Sequence, residues 1–189
     1  MSVVAALLAR RSVPARYLQA PGPDAAQLAA ALDAAGRAPD HGQLRPWRFR
    51  TVQGAALAKL GELLVRCALA RDPATPPEQL QKFRLPASRA PLAIIVSALL
   101  RPSPKVPEVE QLLATGASCM NLLNAFSAQG FGAVWLTGAN AYDPNVAREL
   151  GLAADERLLG ILYVGSISQE APAPLARPDR DSYASEWQG

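Results

Sequence analysis

Cysteine and histidine are scarce in this chain of 189 residues: two cysteines, Cys67 and Cys119, and one histidine, His41. Both cysteines fall within apolar helical patterns and read as small buried hydrophobes, so no disulfide framework is expected. A lone histidine, with no second histidine, cysteine or carboxylate at ligand spacing, argues against a metal centre. Lysine is also rare, with Lys59, Lys82 and Lys105 standing beside sixteen arginines. Aromatic residues are 6% of the chain. No basic stripe interleaves with them, so nucleic acid is not an expected partner. No apolar run approaches the roughly 20 residues of a membrane span. The N-terminal apolar run, Val3 to Ala9, precedes its arginines, the reverse of a signal peptide, and no apolar stretch follows Arg10-Arg11 as a twin-arginine signal requires. A cytoplasmic protein is expected. Walker-type loops, Ser-His-acid or Cys-His groupings and paired carboxylates are lacking, so no catalytic side chain is assigned. That lack fits an enzyme whose bound cofactor does the hard chemistry.

Half of the residues are hydrophobic, 19% are charged and the net charge is +3, the balance of an ordinary globular protein with one well-buried core. Helical spacing covers residues 2–10, with Val3, Val4, Leu7 and Leu8 as the apolar positions. Asp24 followed by Gln27 is a capping-box pattern opening a helix to about Arg37, with Leu28 and Leu32 on its buried face. Residues 39–46 read as a loop and Trp47–Gln53 as a strand with one wet face. A helix over 55–71 and a short one over 77–84 follow. Pro91–Leu100 is continuously apolar and β-branched, a strand buried on both faces. The longest helix runs from Glu108 to Gln129 and is apolar or small on most faces, which predicts burial nearly all round, either centrally or at a subunit interface. Gly130 to Trp135 turns into a strand, Asp143-Pro144 caps a helix, and Arg157–Ile167 is the last strand. The alternation predicts one α/β or α+β domain over residues 1–170. Residues 171–189, Pro-rich and polar, read as an arm packed on a partner subunit.

Three segments carry chemistry. Arg10-Arg11-Ser12 offers two fixed cations and a hydroxyl, as a phosphate monoester requires, but it equally reads as a basic helix end answering the helix dipole. Arg37-Ala38-Pro39-Asp40-His41 opens the Pro-bounded loop; its histidine is either a surface residue or a donor to a cofactor. Gln129-Gly130-Phe131-Gly132 and Trp135-Leu136-Thr137-Gly138 flank a strand. Their glycines allow close backbone approach to a ligand, or simply cap a helix before a core strand.

In this order, Arg-Arg-Ser, Arg-Ala-Pro-Asp-His and Gln-Gly-Phe-Gly resemble the flavin-dependent nitroreductase family, in its compact bacterial NAD(P)H nitroreductase subgroup, over about residues 3–167. The resemblance implies an α+β, three-layer α/β/α fold with a central mixed sheet, an intertwined homodimer and FMN at the subunit interface. It implies Arg10, Arg11 and Ser12 on the FMN phosphate and ribityl chain, and Arg37 and His41 reaching the flavin from the other subunit. Trp135, Leu136, Thr137 and Gly138 would lie at the phosphate and isoalloxazine side. Ala125, Phe126, Ser127, Ala128, Gln129 and Gly130 would meet the nicotinamide nucleotide. Arg177 of the arm would complete the phosphate site, with Arg180 in reserve. The implied reaction is ping-pong hydride transfer from NAD(P)H to a nitroaromatic, quinone or similar small acceptor, with Arg10 or Arg45 supplying charge near flavin N1 and O2. Other flavin chemistry on the same fold, or non-catalytic flavin binding, is the alternative. The chain departs from the family pattern at Gln43, Arg45 and Leu136, which bears on substrate and flavin reactivity.

Overall fold

The computed structural model describes residues 2–189, among which six α-helices and five strands are distributed along the chain. The helices are α1 (Val3–Ala9), α2 (Ala25–Ala35), α3 (Ala55–Arg71), α4 (Pro77–Arg89), α5 (Glu108–Ala128) and α6 (Pro144–Glu149). The strands are β1 (Leu18–Gln19), β2 (Trp47–Gln53), β3 (Leu92–Leu99), β4 (Gly132–Leu136) and β5 (Glu156–Ile167). The sheet runs β1-β5-β3-β2, and β4 pairs with β5. All four strand pairings are antiparallel, and the parallel element that makes the sheet mixed is a single bridge between Ser12 and Ala133.

Period-two alternation divides the buried strands between two helical layers. Ala93, Ile95, Ile161 and Tyr163 pack on one side with Leu57, Leu60 and Leu64 of α3. Leu92, Ile94, Val96, Leu162 and Val164 pack on the other with Ala31 and Ala35 of α2 and Leu122, Leu123 and Phe126 of α5. β3 and β5 are sealed on both faces, which explains why the β3 sequence carries no polar alternation.

The capping box of α2 is formed: Asp24 Oδ1 accepts from the Gln27 amide at 2.8 Å, and Gln27 Oε1 accepts from the Asp24 amide at 2.9 Å. Its fully buried residues are Ala31 and Ala35, with Leu28 and Leu32 only partly covered at the core margin. Asp143 caps α6, accepting from the Asn145 amide at 2.9 Å. The fourth helix extends five residues beyond the predicted Arg84, to Arg89. Pro86 lies inside it, buried with Ala87 against α3, and that packing outweighs the lost main-chain bond. The predicted loop 39–46 contains one 3-10 turn, His41–Gln43. Both cysteines are buried thiols, and burial pushes Cys119 up to about 12.

Two surfaces are less covered than the sequence pattern predicts. No residue of α1 is buried, so Val3, Val4, Leu7 and Leu8 face outward. The fifth helix is not buried all round: Val109, Leu113 and Met120 are 58%, 67% and 38% exposed and align at i, i+4, i+11. Between them Gly116 has open space where a Cβ would stand. Of the two placements the sequence left open for this helix, the single chain fills only one face. No described helix is long and apolar enough to cross a membrane.

Candidate functional site

The site is organised along β4. One edge of this strand is paired with β5; on the other, among the described residues, the Ser12 bridge at Ala133 is the only strand-like contact, and the edge beyond it has no strand partner. The Val13 amide donates to the Ala133 carbonyl at 2.9 Å, which fixes the Arg10–Ser12 segment against the start of the strand.

Arg10 is the C-cap of α1. The arm folds back onto this segment: Arg11 donates to the Pro172 carbonyl and Arg177 donates to the Arg10 carbonyl. The result is a cavity of about 420 Å³ lined by Arg10, Arg11, Ser12 and Arg177 together with arm residues 172–178. Burial and the neighbouring Arg177 charge hold Arg10 below its ordinary pKa. Like cations forced together in this way are stabilised by an anion placed between them, and guanidinium forks with a hydroxyl suit a phosphate. Four of the residues named from sequence are therefore brought together, and Arg177 is the arm arginine that joins them. Arg180 sits in a separate 3-10 turn and pairs with Asp181 at 3.6 Å, outside the cavity lining.

At the other end of β4, Trp135 is fixed by its indole N–H, which donates to the Leu159 carbonyl at 3.1 Å. Leu136 and Thr137 line a second cavity of about 210 Å³, roofed by α4 and floored by β5. Gly160, beside the register shift at Val96/Ser97, has φ +133°, and a Cβ there would stand 2.5 Å from the Leu136 carbonyl oxygen. Gly138, at φ +80°, turns the chain out of the strand. Sequence reasoning missed Lys82, Asn140 and Tyr163 in this cavity. Nothing local marks them, since they come from a helix, a loop and a core strand that meet only in the fold.

His41 is not near the Arg10 cavity in the same chain, and Arg37 is not among the residues that line that cavity. His41 Nδ1 lies 2.6 Å from Glu110 Oε2 at the start of α5, whereas the Arg10–Ser12 segment adjoins β4 just past the end of α5. At 1.5 Å per residue, the eighteen residues from Glu110 to Ala128 separate those ends by about 27 Å. In the loop carrying His41, Gln43 and Arg45 adopt φ +52° and +48°, and Asp40 Oδ2 accepts from the Arg45 amide at 2.6 Å. In the segment 125–130, Phe126 is sealed in the core and Gln129 Nε2 donates to the Gln27 carbonyl at 3.2 Å, which leaves Ala128 and Gly130 as its exposed members. Among the described residues no cluster of three or more metal-ligating side chains occurs.

A three-layer α/β/α core with an arginine-lined cavity at one end of a free-edged strand defines an α+β protein with a candidate anion site. Comparison with known proteins gives its family. The Nitroreductase family matches residues 7–166. "Putative NAD(P)H nitroreductase YdjA" of Escherichia coli (strain K12) is 34% identical over 179 residues, spanning 95% of this chain and 96% of that protein. A "Putative NAD(P)H nitroreductase" of Haemophilus influenzae is 35% identical over 157 residues, 82% of this chain and 84% of the relative. Among solved structures, the nitroreductase-like family protein of Bacillus cereus superposes with TM-score 0.83 at 25% identity, covering 100% of this chain and 97% of the other. A nitroreductase with bound FMN from Bacteroides fragilis shares the fold with TM-score 0.76 at 21% identity, covering 99% and 100%. The chain belongs to the nitroreductase family, and so to the oxidoreductases.

Proposed function

We propose that the protein is an FMN-dependent NAD(P)H oxidoreductase that reduces a nitroaromatic, quinone or similar small acceptor. The observation that carries this reading is the cavity in which Arg10, Arg11, Ser12 and Arg177 converge. Its donor set matches a phosphate monoester, and a relative on the same fold is described as having bound FMN. Arg10, Arg11, Ser12 and Arg177 would hold the phosphate, and the free edge of β4 would leave the backbone of Trp135–Gly138 to meet the polar rim of the ring. FMN, when bound, supplies two-electron hydride chemistry in two half-reactions, one with NAD(P)H and one with the acceptor. The chain's own contribution is positioning: the strand edge aligns the ring, and the exposed Ala128 and Gly130 would flank the nicotinamide nucleotide.

A homodimer completes the site in this reading. The apolar stripe of α5, with Gly116 at its middle, offers a seam for a second copy. Antiparallel pairing about that middle would carry the partner's His41 end toward this chain's Arg10 end, closing the separation of about 27 Å that one chain cannot bridge. Residues 171–189 would then be an arm appended to the domain of residues 1–170, its stretch 172–178 lying on this chain's own Arg10–Ser12 segment and the rest reaching the partner.

The test is the visible spectrum of the purified protein. A yellow preparation that bleaches with NADH or NADPH and recovers on adding nitrofurazone or a quinone is expected. Colourless protein that gains no thermal stability from added FMN overturns the reading, and yellow protein that never bleaches replaces it with a flavin-binding protein.

A further inference from the structure

β4 ends at Leu136, and the segment from Thr137 to Asp143 leads from it to α6. Residues 136–139 and Tyr142 are exposed, whereas Asn140 and Asp143 are buried, at 9% and 6% exposure. A turn bond runs from the Ala141 amide to the Gly138 carbonyl at 3.0 Å. A short, mostly exposed segment of this kind keeps a fixed course only where other elements hold it.

Both buried side chains meet one guanidinium. Arg71, the last residue of α3, donates to Asp143 Oδ2 at 2.5 Å and to Asn140 Oδ1 at 3.3 Å. The other Asp143 oxygen accepts from the Asn145 amide at 2.9 Å, so one carboxylate caps α6 and ties it to α3. The planar fork of arginine serves two acceptors at once, which the single ammonium of a lysine does less well. The Asp143 side chain is only 4% exposed. A carboxylate so buried is costly unless a cation answers it, and here Arg71 does.

The segment held in this way is a partition. Thr137, Ala141 and Leu158 line the cavity beneath α4 and also a neighbouring cavity of about 640 Å³, which Trp135 and Tyr142 join. Asn140 lines the first cavity and Asp143 the second. Resting on the FMN reading, we propose that Arg71 is a positioning residue for the ring end of the flavin site. It fixes the course of residues 137–143, and with it the Thr137–Gly138 backbone that meets the ring. Arg71 lines neither cavity, so its effect passes through Asn140 and Asp143. A backbone edge already held in place binds the ring without the cost of ordering it first.

The experiment compares the wild-type protein with Arg71→Gln, Arg71→Lys and Asp143→Asn, the last of which keeps an oxygen to cap α6. Leu60→Val, a core change on the same helix that lines neither cavity, controls for lost stability alone. The first readout is chymotrypsin cleavage after Tyr142 under native conditions, located by mass spectrometry, in protein without added flavin. The second is affinity for FMN and for riboflavin. Arg71→Gln and Asp143→Asn should speed the cleavage by about tenfold, since cleavage follows the population of the opened segment. They should weaken FMN and riboflavin alike, by about tenfold, because the ring end and not the phosphate end is disturbed. Arg71→Lys should fall between these variants and wild type, and Leu60→Val should stay close to wild type in both readouts. Cleavage or flavin affinities unchanged in Arg71→Gln, a loss confined to FMN, or equal changes in Leu60→Val overturn the assignment while leaving the FMN reading intact. A wild-type protein that binds neither flavin overturns both.

Discussion

Ser12 and Ala133 form a parallel bridge, among the described residues the only strand-like contact on the outer edge of β4. The bridge ties the end of α1 to the strand whose far end reaches the Lys82 cavity. One short strand thereby sets the spacing between the arginine-lined cavity and the cavity beneath α4, and the first prediction concerns the proposed phosphate grip.

Replacing Arg10 or Ser12 with Ala should weaken FMN binding without an equal effect on riboflavin. Charge-assisted hydrogen bonds to phosphate are worth about 1.5–3 kcal/mol, so roughly 10- to 100-fold in affinity is expected for Arg10→Ala and less for Ser12→Ala. Fluorescence titration with both ligands measures it. Equal losses for FMN and riboflavin would show that these side chains do not read the phosphate.

The exposed stripe of α5 carries a second expectation. Leu113→Glu places a charge at the centre of the proposed seam, next to the open surface of Gly116. The variant should run as a monomer in light scattering while keeping its helical content, and should lose FMN affinity by about tenfold, near 1.4 kcal/mol, because His41 would no longer arrive from a second copy. A variant that stays dimeric would place the interface elsewhere.

Gly160 is required by both conformation and space. Alanine there would adopt φ near +133° with its Cβ 2.5 Å from the Leu136 carbonyl and 2.6 Å from the Trp135 indole nitrogen. Gly160→Ala should destabilise the fold by about 3 kcal/mol, from combined backbone strain and overpacking, as read by urea denaturation. It should also displace the end of β4 and reduce FMN retention. Unchanged stability would mean that the strand end yields freely.

Acid stability should depend on Glu156. Burial pushes its carboxyl up, but this is outweighed by Arg50 Nη2 at 2.6 Å, the Ala153 amide at 3.1 Å and the Ser97 hydroxyl at 3.4 Å, so the group is held below its ordinary pKa. A depressed carboxylate contributes stability above its unfolded value, about 4.3, that is lost as pH falls through the lower folded value. Glu156→Gln should lower stability at pH 7 by about 2 kcal/mol and flatten the decline below about pH 4. Parallel declines in the two proteins would rule out this source of acid sensitivity.

Much of the architecture was legible before any coordinates. The β3 strand is readable because a run of apolar, β-branched residues has no other stable place than a sheet covered on both faces. The Asp24–Gln27 box and the Asp143-Pro144 cap are readable because capping depends on residues three apart or adjacent. The end of α4 is not legible in the sequence, because a proline's local penalty is visible there whereas the burial of Pro86 against α3 is not. The apolar pattern of α5 leaves a central helix and a subunit interface equally open, and only the fold shows that Val109, Leu113 and Met120 stay at the surface of the single chain.

The sequence by itself determined the layers, the buried strands and the Arg10-Arg11-Ser12 segment as a candidate grip, since periodicity, caps and local charge are properties of neighbours along the chain. Only the tertiary structure laid Arg177 on the Arg10 carbonyl, set His41 at the opposite end of α5, and brought Lys82 and Tyr163 beside Leu136 and Thr137. Those juxtapositions join residues tens of positions apart, and no local spacing encodes where a fold returns to itself.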